Sequence, residues 1–496
     1  MSKKIAVVGA GVGGLTTAIQ LQHQGYDVTI YEKNDHVGGK MNQLEIDGFK
    51  FDMGPTIVMM PDIYRKPFID TGVNPDDYFT MQRVDPFMKV QIDNQDYEIS
   101  SDLVKLTKLF ESSSDADMLG FLNYLSDIYR KYLNAKDNFI YQSFRSPKDF
   151  FNLKTLINAI KLKTFSSSYH DMQKFISNQH LQYLLSFQTL YIGISPFSGP
   201  SIYNIIPMIE LLYGVWFIKG GMYQYAKALK RRFEELGGKL QYDSEVQQVV
   251  TSGRKVTGLQ INGATIPVDA AVINADYPYA VESLLSPQAQ KLEKKTPQKI
   301  KQMDYSMSCL LIYLGVEAQY PQLDLHTIKM ASDFKENVQE IETGVLPPDP
   351  SYYIYNPSKL DDSFAPAGAS SLYILVPVGN LQTSTLTEQQ YADYADQVID
   401  KAQRGFALTD LQAKIKVKSI FTPNQFNSLY NSKFGTAFGL KPTLAQSNYF
   451  RPHNKARKID GLYFAGASSH PGAGVPIVIT SGELAAKEVE RDFSNE

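Results

Sequence analysis

The alternation of apolar and polar positions at the start of the chain predicts a β-α-β unit. Residues 5–8 form a continuous apolar run, which is typical of a strand buried within a parallel sheet. Apolar residues then recur at helical spacing between residues 15 and 21, and Gly25 is placed to end that helix. Apolar side chains alternate again at residues 28–30, which predicts a second strand that ends at Glu32.

Similar patterns predict strands and helices along the rest of the chain. Residues 102–213 are mostly helical in pattern, and an amphipathic run predicts a helix at 223–236 that two glycines end. A closing helix is predicted from about Pro476, because proline is tolerated in a first helical turn. Apolar runs or alternation predict further strands at 85–100 (a hairpin), 239–242, 268–273, 306–316, 370–378 and 462–465.

A glycine-rich turn, G-x-G-x-x-G, joins the first strand to the first helix. Gly9 makes the tight turn, Gly11 lets the backbone approach a pyrophosphate, and Gly14 lets the helix pack closely on the strand. The start of a helix carries about half a positive charge, which favours an anion there. Glu32 lies at the end of the second strand, where it can accept hydrogen bonds from a ribose. The unit therefore predicts a Rossmann-like dinucleotide site.

Composition and charge limit the class of protein. A chain of 496 residues, 43% hydrophobic and 20% charged, is typical of a globular protein with two or three domains. The net charge of −3 argues against nucleic acid as a main partner. Cys309 is the single cysteine, which excludes an internal disulfide, and the seven histidines lack ligand spacing, so we expect no metal site.

The ends and the hydropathy of the chain bear on its location. The N-terminus MSKK runs straight into a strand pattern, so it does not read as a signal peptide, and no run of about 18 apolar residues predicts a spanning helix. The single cysteine favours a reducing compartment, so we expect a cytoplasmic protein that is peripherally associated with the cell membrane. Aromatic residues make up 12% of the chain, which is compatible with a large apolar cavity and equally with aromatic packing in a core.

Several segments closely resemble the bacterial carotenoid (phytoene-type) desaturase family, and the similarity runs from end to end. The residues themselves leave NAD and FAD open; the extension through Gly38, Gly39 and Lys40 resembles the FAD-binding flavoprotein fingerprint and favours FAD. Lys40 replaces the arginine common there, and it can neutralise a phosphate as a point charge without a bidentate fork. The other matching segments are residues 49–64, 193–210, 217–229, 349–368, 437–452 and 464–482.

The resemblance implies an α/β (mixed α+β) fold with the architecture of flavin amine oxidases. A discontinuous, Rossmann-like FAD-binding domain is expected from residues 1–85, 215–300 and 425–496. A substrate and membrane-facing domain of mixed sheet and helices is expected from residues 86–214 and 301–424.

The resemblance also implies a noncovalent FAD site. The C-terminal segment of such proteins lies against the flavin, so Gly466, Gly472 and Gly474 would bring backbone N–H groups, and a second helix N-terminus, close to the cofactor. Cys309 lies outside both flavin motifs, and no attachment residue is implied. The expected cofactor-binding residues are Val8, Gly9, Ala10, Gly11, Val12, Gly13, Gly14, Leu15, Glu32, Lys33, Gly38, Gly39, Lys40, Gly54, Pro55, Thr56, Val246, Asn274, Ala275, Asp276, Gly466, Ala467, Gly474, Val475 and Ile477.

The segments around Met41, Met53 and Ala445 are most similar to desaturases of thirty-carbon carotenoids. This implies stepwise desaturation of 4,4'-diapophytoene (dehydrosqualene) to 4,4'-diaponeurosporene, with an external electron acceptor, oxygen or a quinone. A forty-carbon phytoene desaturase and a carotenoid oxidase, ketolase or isomerase remain open. A non-catalytic isoprenoid-binding protein is disfavoured, because the glycines of the site and Glu32 are all present.

No sequence feature marks a general base for this reaction. Glu210 lies in an apolar run and is a candidate for a buried carboxyl group with a shifted pKa. A paired or solvent-facing glutamate on an amphipathic helix is the more common case, and we expect that for Glu210. His470 lies in the C-terminal flavin motif, with no metal-ligand spacing. We therefore assign no catalytic residue from the sequence.

The lipid-soluble substrate implies an entrance at a bilayer surface. Residues 146–165 predict an interfacial helix, because apolar residues fall on one helical face with lysines at its flanks. A helix packed on the domain core gives the same pattern. The apolar face comprises Phe150, Leu153, Leu156, Ile157 and Ile160, and the flanking lysines are Lys154, Lys161 and Lys163.

Overall fold

The structure, a computed structural model, describes residues 2–152, 155 and 165–494. Its first layer is a parallel five-stranded sheet in the order Leu462–Phe464, Ala270–Ile273, Lys4–Val8, Asp27–Tyr31 and Lys239–Gln241. The strand Lys4–Val8 has a parallel neighbour on each side and is buried after its first residue. Its uninterrupted apolar sequence is what burial on both faces of a parallel sheet requires.

Three helices pack beside this sheet, and they confirm the predicted elements. The first helix, Val12–His23, packs against the closing helix, Val475–Phe493, and against the helix Tyr223–Glu235. Leu15, Ala18 and Leu21 on the first helix are fully buried between these neighbours. Pro476 lies in the first turn of the closing helix, as predicted.

The second layer is a mixed seven-stranded sheet. Its strands are antiparallel except for the parallel pair His326–Lys329 and Met88–Ile92. The hairpin predicted at 85–100 is confirmed. The strand order is Ile415–Phe421, Ser308–Val316, Ser370–Val378, Tyr352–Tyr355, His326–Lys329, Met88–Ile92 and Gln95–Ile99.

The two faces of the long strand Ser308–Val316 have different neighbours, although every residue in it is buried. Leu310, Ile312 and Leu314 pack beneath the helix Glu388–Gly405 on one face. Cys309, Leu311 and Tyr313 point to the opposite face, towards the interior between the two sheets. A strand that is apolar on both sides gives no sign in the sequence of which face meets a cavity.

Smaller sheets and many short helices connect the two layers. The strand pairs are Gln43–Ile46 with Phe49–Asp52, and Met81–Val84 with Val215–Ile218, and a three-stranded sheet comprises Val246–Ser252, Lys255–Ile261 and Ala264–Pro267. The remaining α-helices are Pro61–Ile69, Leu103–Glu111, Asp115–Ala135, Pro147–Phe150, Ser168–Met172, Gln179–Leu184, Ile205–Tyr213, Tyr277–Tyr279, Pro287–Leu292, Pro297–Lys301, Phe334–Thr343, Leu411–Lys414 and Pro423–Tyr430.

Single turns of other helix types complete the chain. The 3₁₀ turns are Pro75–Asp77, Phe187–Ile192, Ser201–Asn204, Pro357–Lys359, Asp362–Phe364, Lys433–Gly435, Leu444–Gln446 and Asn448–Phe450, and the π turns are Lys136–Ile140 and Ala280–Leu284. Among the residues that the structure describes, no helix has the length and apolar character needed to cross a bilayer.

Candidate active site

One continuous cavity of about 490 Å³ lies between the two large sheets, within the usual size range of small-molecule sites. One end meets the carboxyl ends of the parallel strands, where ligands of doubly wound sheets bind. We call this the dinucleotide end. The other end faces the seven-stranded sheet and is called the chamber.

The glycine-rich turn forms the floor of the dinucleotide end. Gly9 has a φ of +96°, and a Cβ atom there would lie 2.5 Å from the carbonyl oxygen of Asn274. A Cβ on Gly13 would lie 2.9 Å from Asn274 Nδ2. Only glycine therefore fits, and the backbone at the start of the first helix is left open to an anion.

Asn274 joins the two glycine-rich segments. It follows the buried strand Ala270–Ile273, and its Nδ2 donates to the carbonyl oxygen of Ala465, 3.1 Å away. Its Oδ1 lies where a side chain on Gly11 would have to go. The asparagine thus fixes the spacing between the N-terminal turn and the C-terminal segment.

Glu32 is held in one orientation at the wall of the dinucleotide end. Its Oε2 accepts from the backbone N–H of Ala10 at 2.7 Å, and its Oε1 accepts from the backbone N–H of Asn34 at 3.0 Å. The side chain is buried, yet it borders the cavity. A fixed carboxylate at this place suits the hydroxyl groups of a ribose.

The closing helix brings a second N-terminus to the same cavity. Gly474, with a φ of +106°, precedes the helix and lines the cavity together with Val475. The first and closing helices touch closely, because Thr17 Oγ1 donates to the carbonyl oxygen of Gly482 at 3.1 Å. A Cβ on Gly482 would lie 2.6 Å from the carbonyl oxygen of Gly13. Two helix N-termini at one site, with an open glycine turn and a fixed carboxylate, fit a dinucleotide cofactor.

Most of the predicted cofactor-binding residues line this cavity; the exceptions are Ala10, Gly14, Leu15 and Ile477. Ala10 takes part through its N–H bond to Glu32. Leu15 is fully buried on the first helix. Ile477 is near Gly474, at a distance of 3.9 Å from the place that a Cβ would take there.

Lys40 is buried beside the cavity, and its ammonium group is bound by protein atoms. Its Nζ donates to the carbonyl oxygens of Ala437 at 2.9 Å and Thr436 at 3.3 Å. Burial lowers the pKa of Lys40 to about 8, and Asp276 acts in the opposite direction. Lys40 therefore ties the N-terminal segment to residues 436–437, a contact that the sequence reading did not anticipate.

Apolar side chains dominate the chamber. Leu311 comes from the strand Ser308–Val316, and Ile328 and Met330 come from the strand His326–Lys329 and the residue after it. Phe187 and Leu190 come from the 3₁₀ helix Phe187–Ile192. These walls can enclose a long apolar chain and exclude water from it.

Thr56, Tyr353 and His326 form a row of hydrogen-bonded groups at the chamber wall. Thr56 Oγ1 lies 2.8 Å from Tyr353 Oη, and Tyr353 Oη lies 2.7 Å from Nδ1 of His326. Thr56 and Tyr353 line the cavity, and His326 is fully buried behind them. Burial lowers the pKa of His326 to about 3, so its ring is neutral. The sequence analysis missed Tyr353 and His326, because no motif marks them.

Glu210 is not the solvent-facing or ion-paired side chain expected from the sequence. It is 1% exposed, on the helix Ile205–Tyr213, and among the described residues no cation pairs with it. Its Oε2 accepts from Gln188 Nε2 at 3.2 Å. Burial raises the pKa of Glu210 to about 8. The sequence does contain a signal for this burial, because Glu210 is the lone acidic residue in a helix whose other buried positions are all apolar.

Cys309 lies at the cavity wall, although it is outside both flavin motifs. Burial raises the pKa of its thiol to about 12, so the thiol stays protonated and is a poor nucleophile. His470 is also buried; its ring packs on Phe144, with ring centroids 5.1 Å apart. In the part of the chain that the structure describes, no cluster of His, Cys, Asp or Glu could hold a metal ion.

The predicted interfacial segment lies largely outside the described residues, including Leu153, Lys154, Leu156, Ile157, Ile160, Lys161 and Lys163. Phe150 is described, and it is half-buried. Its ring stacks on Tyr449 with centroids 5.4 Å apart and also contacts Phe144. Aromatic packing among neighbouring turns thus accounts for this apolar position.

Comparison with known proteins agrees with the geometry. Residues 12–490 match the family described as flavin containing amine oxidoreductase. The 4,4'-diapophytoene desaturase (4,4'-diaponeurosporene-forming) of Staphylococcus aureus strain MRSA252 is 43% identical over 99% of each chain. This relative confirms the resemblance to carotenoid desaturases.

Solved structures confirm the fold class. An oxidoreductase from Methanosarcina mazei is 14% identical, with a TM-score of 0.64 over 98% of this chain and 100% of that one. A putrescine oxidase with redesigned cofactor binding is 12% identical, with a TM-score of 0.61 over 100% of this chain and 99% of that one. We call the glycine-rich turn, Glu32 and the two helix N-termini the cradle, and its groups fit FAD. Because the family also matches over nearly the whole length, the chain belongs to the flavin-containing amine oxidoreductases and is an FAD-dependent oxidoreductase.

Proposed function

We propose that this protein desaturates 4,4'-diapophytoene in FAD-dependent steps to 4,4'-diaponeurosporene. The observation that carries the proposal is the apolar chamber, which opens directly into the dinucleotide end of the same cavity. A hydrocarbon chain offers no polar group to bind, so shape and apolar contact must hold it. The name of the Staphylococcus aureus relative supports the same substrate and product.

FAD bound in the cradle would supply the oxidant that takes a hydride from the substrate. The protein contributes to the reaction by holding cofactor and substrate in position. The two helix N-termini and Glu32 hold the dinucleotide, while the chamber aligns the hydrocarbon and excludes water. The segment Gly54–Thr56 lines the cavity where its two ends meet, so it would border both cofactor and substrate.

We propose that different chain segments bind the cofactor and the substrate. Residues 1–85, 215–300 and 425–496 would bind FAD, and residues 86–214 and 301–424 would bind the substrate. In support, every strand of the five-stranded sheet comes from the first three segments. Every strand of the seven-stranded sheet comes from the other two.

A competition assay tests the substrate. FAD-loaded protein is supplied with liposomes that carry equal amounts of 4,4'-diapophytoene and phytoene, and the polyenes are identified by chromatography and absorbance. We expect the thirty-carbon compound to be consumed first and to give a yellow polyene with no added oxygen. Preferential use of phytoene would replace the thirty-carbon assignment. Oxygen-containing products would favour the oxidase or ketolase alternative.

An external acceptor must reoxidise the cofactor after each double bond. We propose oxygen or a quinone for this role. Anaerobic assays with and without a soluble quinone separate the two: turnover restored by quinone assigns the quinone, and turnover that returns only with air assigns oxygen.

We further propose that the protein works on the cytoplasmic surface of the cell membrane, attached peripherally. An apolar stripe on the helix Asp115–Ala135 supports this: Leu119, Leu122, Tyr129 and Leu133 are exposed and share one face of the helix. We call these four residues the outer stripe. Arg130 and Lys136 fall on opposite sides of it, which suits anionic head groups around an apolar contact.

Liposome flotation tests this attachment. The double variant Leu122→Ser/Tyr129→Ser should lose binding to anionic liposomes and retain FAD. Phe151 and Phe450, which are also exposed and lie 6.2 Å apart between ring centroids, provide the comparison variant Phe151→Ser/Phe450→Ser. Loss of binding only in that variant would place the contact beside the predicted interfacial segment instead.

A further inference from the structure

Desaturation of a hydrocarbon requires a place for a proton as well as a hydride. A chain of hydrogen bonds starts at the surface of the chamber and ends in the interior. It runs from Thr56 Oγ1 to Tyr353 Oη, 2.8 Å apart, and from Tyr353 Oη to His326 Nδ1, 2.7 Å apart. A binding site for an apolar substrate has no need of such a chain for affinity.

The imidazole at the end of the chain is free to accept a proton. His326 is fully buried on the strand His326–Lys329, and its Nε2 has no hydrogen-bond partner. A neutral histidine has one N–H and one acceptor nitrogen. We assign the N–H to Nε2, so that Nδ1 accepts from the Tyr353 hydroxyl and the Thr56 hydroxyl donates to Tyr353 Oη.

We propose that Tyr353 is the group that takes the proton from the substrate and that His326, behind it, receives the proton of the tyrosine hydroxyl. This proposal rests on the proposed desaturation, and it assigns the proton half of that reaction. Tyr353 is the catalytic residue in this scheme, because it borders the chamber. His326 acts through Tyr353 and is a positioning residue.

The step balances in atoms and electrons. One C–H bond of the substrate gives its hydride to FAD, and the adjacent carbon loses a proton to Tyr353 Oη as the electron pair of that second C–H bond becomes the new double bond. The O–H proton of Tyr353 moves to His326 Nδ1, which leaves a neutral tyrosine and an imidazolium. The external acceptor later takes two electrons and two protons, one of them from His326.

A weak base is sufficient here, because a C–H bond next to a developing allylic cation is a very strong acid. Position therefore matters more than basicity, and the low pKa of His326 keeps the ring unprotonated before the reaction. Glu210 is less suited, since burial raises its pKa to about 8 and it carries its own proton at neutral pH. Glu210 does not border the cavity itself, and Tyr191, which does border it and bonds to Glu210, therefore faces a carboxyl group that already holds a proton.

Neither His326 nor the carboxyl group that lies beyond it borders the cavity. Tyr355 stacks on His326 with ring centroids 5.5 Å apart, and its hydroxyl donates to Asp52 Oδ2 at 3.4 Å. Asp52 is not in contact with the cavity. The charge that arrives at His326 therefore stays away from the apolar chain.

The central experiment follows the bleaching of enzyme-bound FAD after anaerobic mixing with 4,4'-diapophytoene in liposomes. We expect Tyr353→Phe to slow the bleaching at saturating substrate by about 100-fold or more, a typical contribution of a positioned proton acceptor. His326→Asn keeps a hydrogen-bond acceptor near the position of Nδ1 but cannot take a proton, and it should slow the same step. FAD content and the substrate concentration at half-saturation should change by less than about threefold.

Tyr394→Phe is the matched control. It removes a buried tyrosine hydroxyl, which donates to the carbonyl oxygen of Pro347 at 2.7 Å away from the cavity, and leaves His326 and its neighbours intact. Its bleaching rate should equal that of the wild type. If Tyr353→Phe fails to hold FAD, 3-fluorotyrosine at position 353 retains the hydroxyl with weaker basicity, and a several-fold slower bleaching is expected.

A second measurement does not depend on turnover. Nitrogen-15 NMR of histidine-labelled, FAD-loaded protein should show the His326 imidazole with an unprotonated Nδ1 that stays neutral from pH 5 to 8. Burial also lowers the pKa of His470 to about 3, so the two rings are told apart by their response to Tyr353→Phe. That Nδ1 signal should shift in Tyr353→Phe and not in Tyr394→Phe. A doubly protonated His326 at pH 7, or an Nδ1 signal that is indifferent to Tyr353, would contradict the assignment.

The failure of this inference is distinguishable from failure of the proposed function. If the wild type does not bleach with 4,4'-diapophytoene, the proposed function is wrong. Suppose instead that FAD bound to the wild type is bleached, and that FAD bound to Tyr353→Phe, at full content, is bleached at a rate within threefold of the wild-type rate. The proposed proton path would then be wrong, while the proposed desaturation would stand.

Discussion

Glu32 illustrates how a single side chain combines a local and a distant role. Both carboxylate oxygens accept backbone N–H groups, one from the glycine turn and one from Asn34, so the side chain cannot rotate away from the cavity. The same bonds brace the turn that the cofactor phosphates approach. Binding and local order therefore depend on one carboxylate.

Glu32→Ala should sharply lower FAD content while leaving the fold largely intact, because it removes the ribose acceptor and one bond that braces the turn. Absorbance of bound FAD per protein after gel filtration measures this, with circular dichroism for the fold. Glu234→Ala, an exposed change on the helix Tyr223–Glu235, is the control and should retain FAD. Full FAD content in Glu32→Ala would show that the carboxylate is not a cofactor contact.

Asp52 should make stability depend on pH. Burial raises its pKa from 3.8 to about 7, so the folded protein holds a proton that the unfolded chain releases above about pH 4. Its contribution to stability is complete below pH 4 and is lost as pH rises through 7, a change of roughly 4 kcal/mol. Asp52→Asn cannot ionise, so its Tm relative to wild type should rise from pH 5 to pH 8.

The exposed substitution Asp47→Asn controls for this measurement, and its Tm difference from wild type should not vary over the same range. The pKa of Glu210 is also raised, to about 8. Glu210 is present in the wild type and in both variants, so its effect cancels from the Tm differences. A pH-independent Tm difference between Asp52→Asn and wild type would mean that Asp52 is ionised when folded at pH 5.

The residues predicted from the sequence pattern itself are those whose role is set within a few positions; the resemblance to the desaturase family added others, including Thr56 and Asn274. The spacing of Gly9, Gly11 and Gly14 with Glu32 is local, and it identified the dinucleotide end. His326, Tyr353 and Thr56 meet only through folding, since nearly three hundred positions separate Thr56 from Tyr353. No pattern in the sequence could bring these three together.

At the scale of elements, the first and closing helices act as one support for the cofactor. Glycines at their contact let the two backbones approach closely, and this places both helix N-termini at the cavity. The sequence predicted each helix and its start, because caps and apolar spacing are local signals. It did not show that the two helices touch.

Gly482→Ala should separate these helices. The added methyl group would lie 2.6 Å from the carbonyl oxygen of Gly13, so one backbone must move by several tenths of an ångström or more. We expect the free energy of unfolding to fall by about 1–3 kcal/mol, which is typical of overpacking. The Tm should therefore be lower, and FAD should bind more weakly. Thermal unfolding and FAD titration measure the two effects.

Lys487→Ala is the matched control on the closing helix, because Lys487 is exposed and faces away from this contact. It should retain the Tm and FAD affinity of the wild type. Normal FAD affinity in Gly482→Ala would mean that the spacing of the two helices does not set the cradle.

The whole molecule should hold FAD without a covalent bond, and FAD should stabilise it. Cys309 is the only cysteine, and burial keeps its thiol protonated. Denaturation should therefore release all of the flavin into the filtrate, and Cys309→Ser should not alter the released fraction. Free FAD at about one hundred times its Kd should stabilise the folded protein by about 2.7 kcal/mol, visible as a higher Tm. Flavin that stays with the denatured chain would contradict this.

The contact between the first and closing helices has a consequence for biosynthesis. Thr17 and Gly482 are 465 positions apart, so a ribosome must complete nearly the whole chain before the cradle exists. FAD cannot guide the folding of the nascent N-terminal unit, although that unit carries the complete glycine motif and emerges first. Flavin insertion is therefore a post-translational event, and a cell short of flavin would accumulate full-length, folded apoprotein rather than stalled fragments.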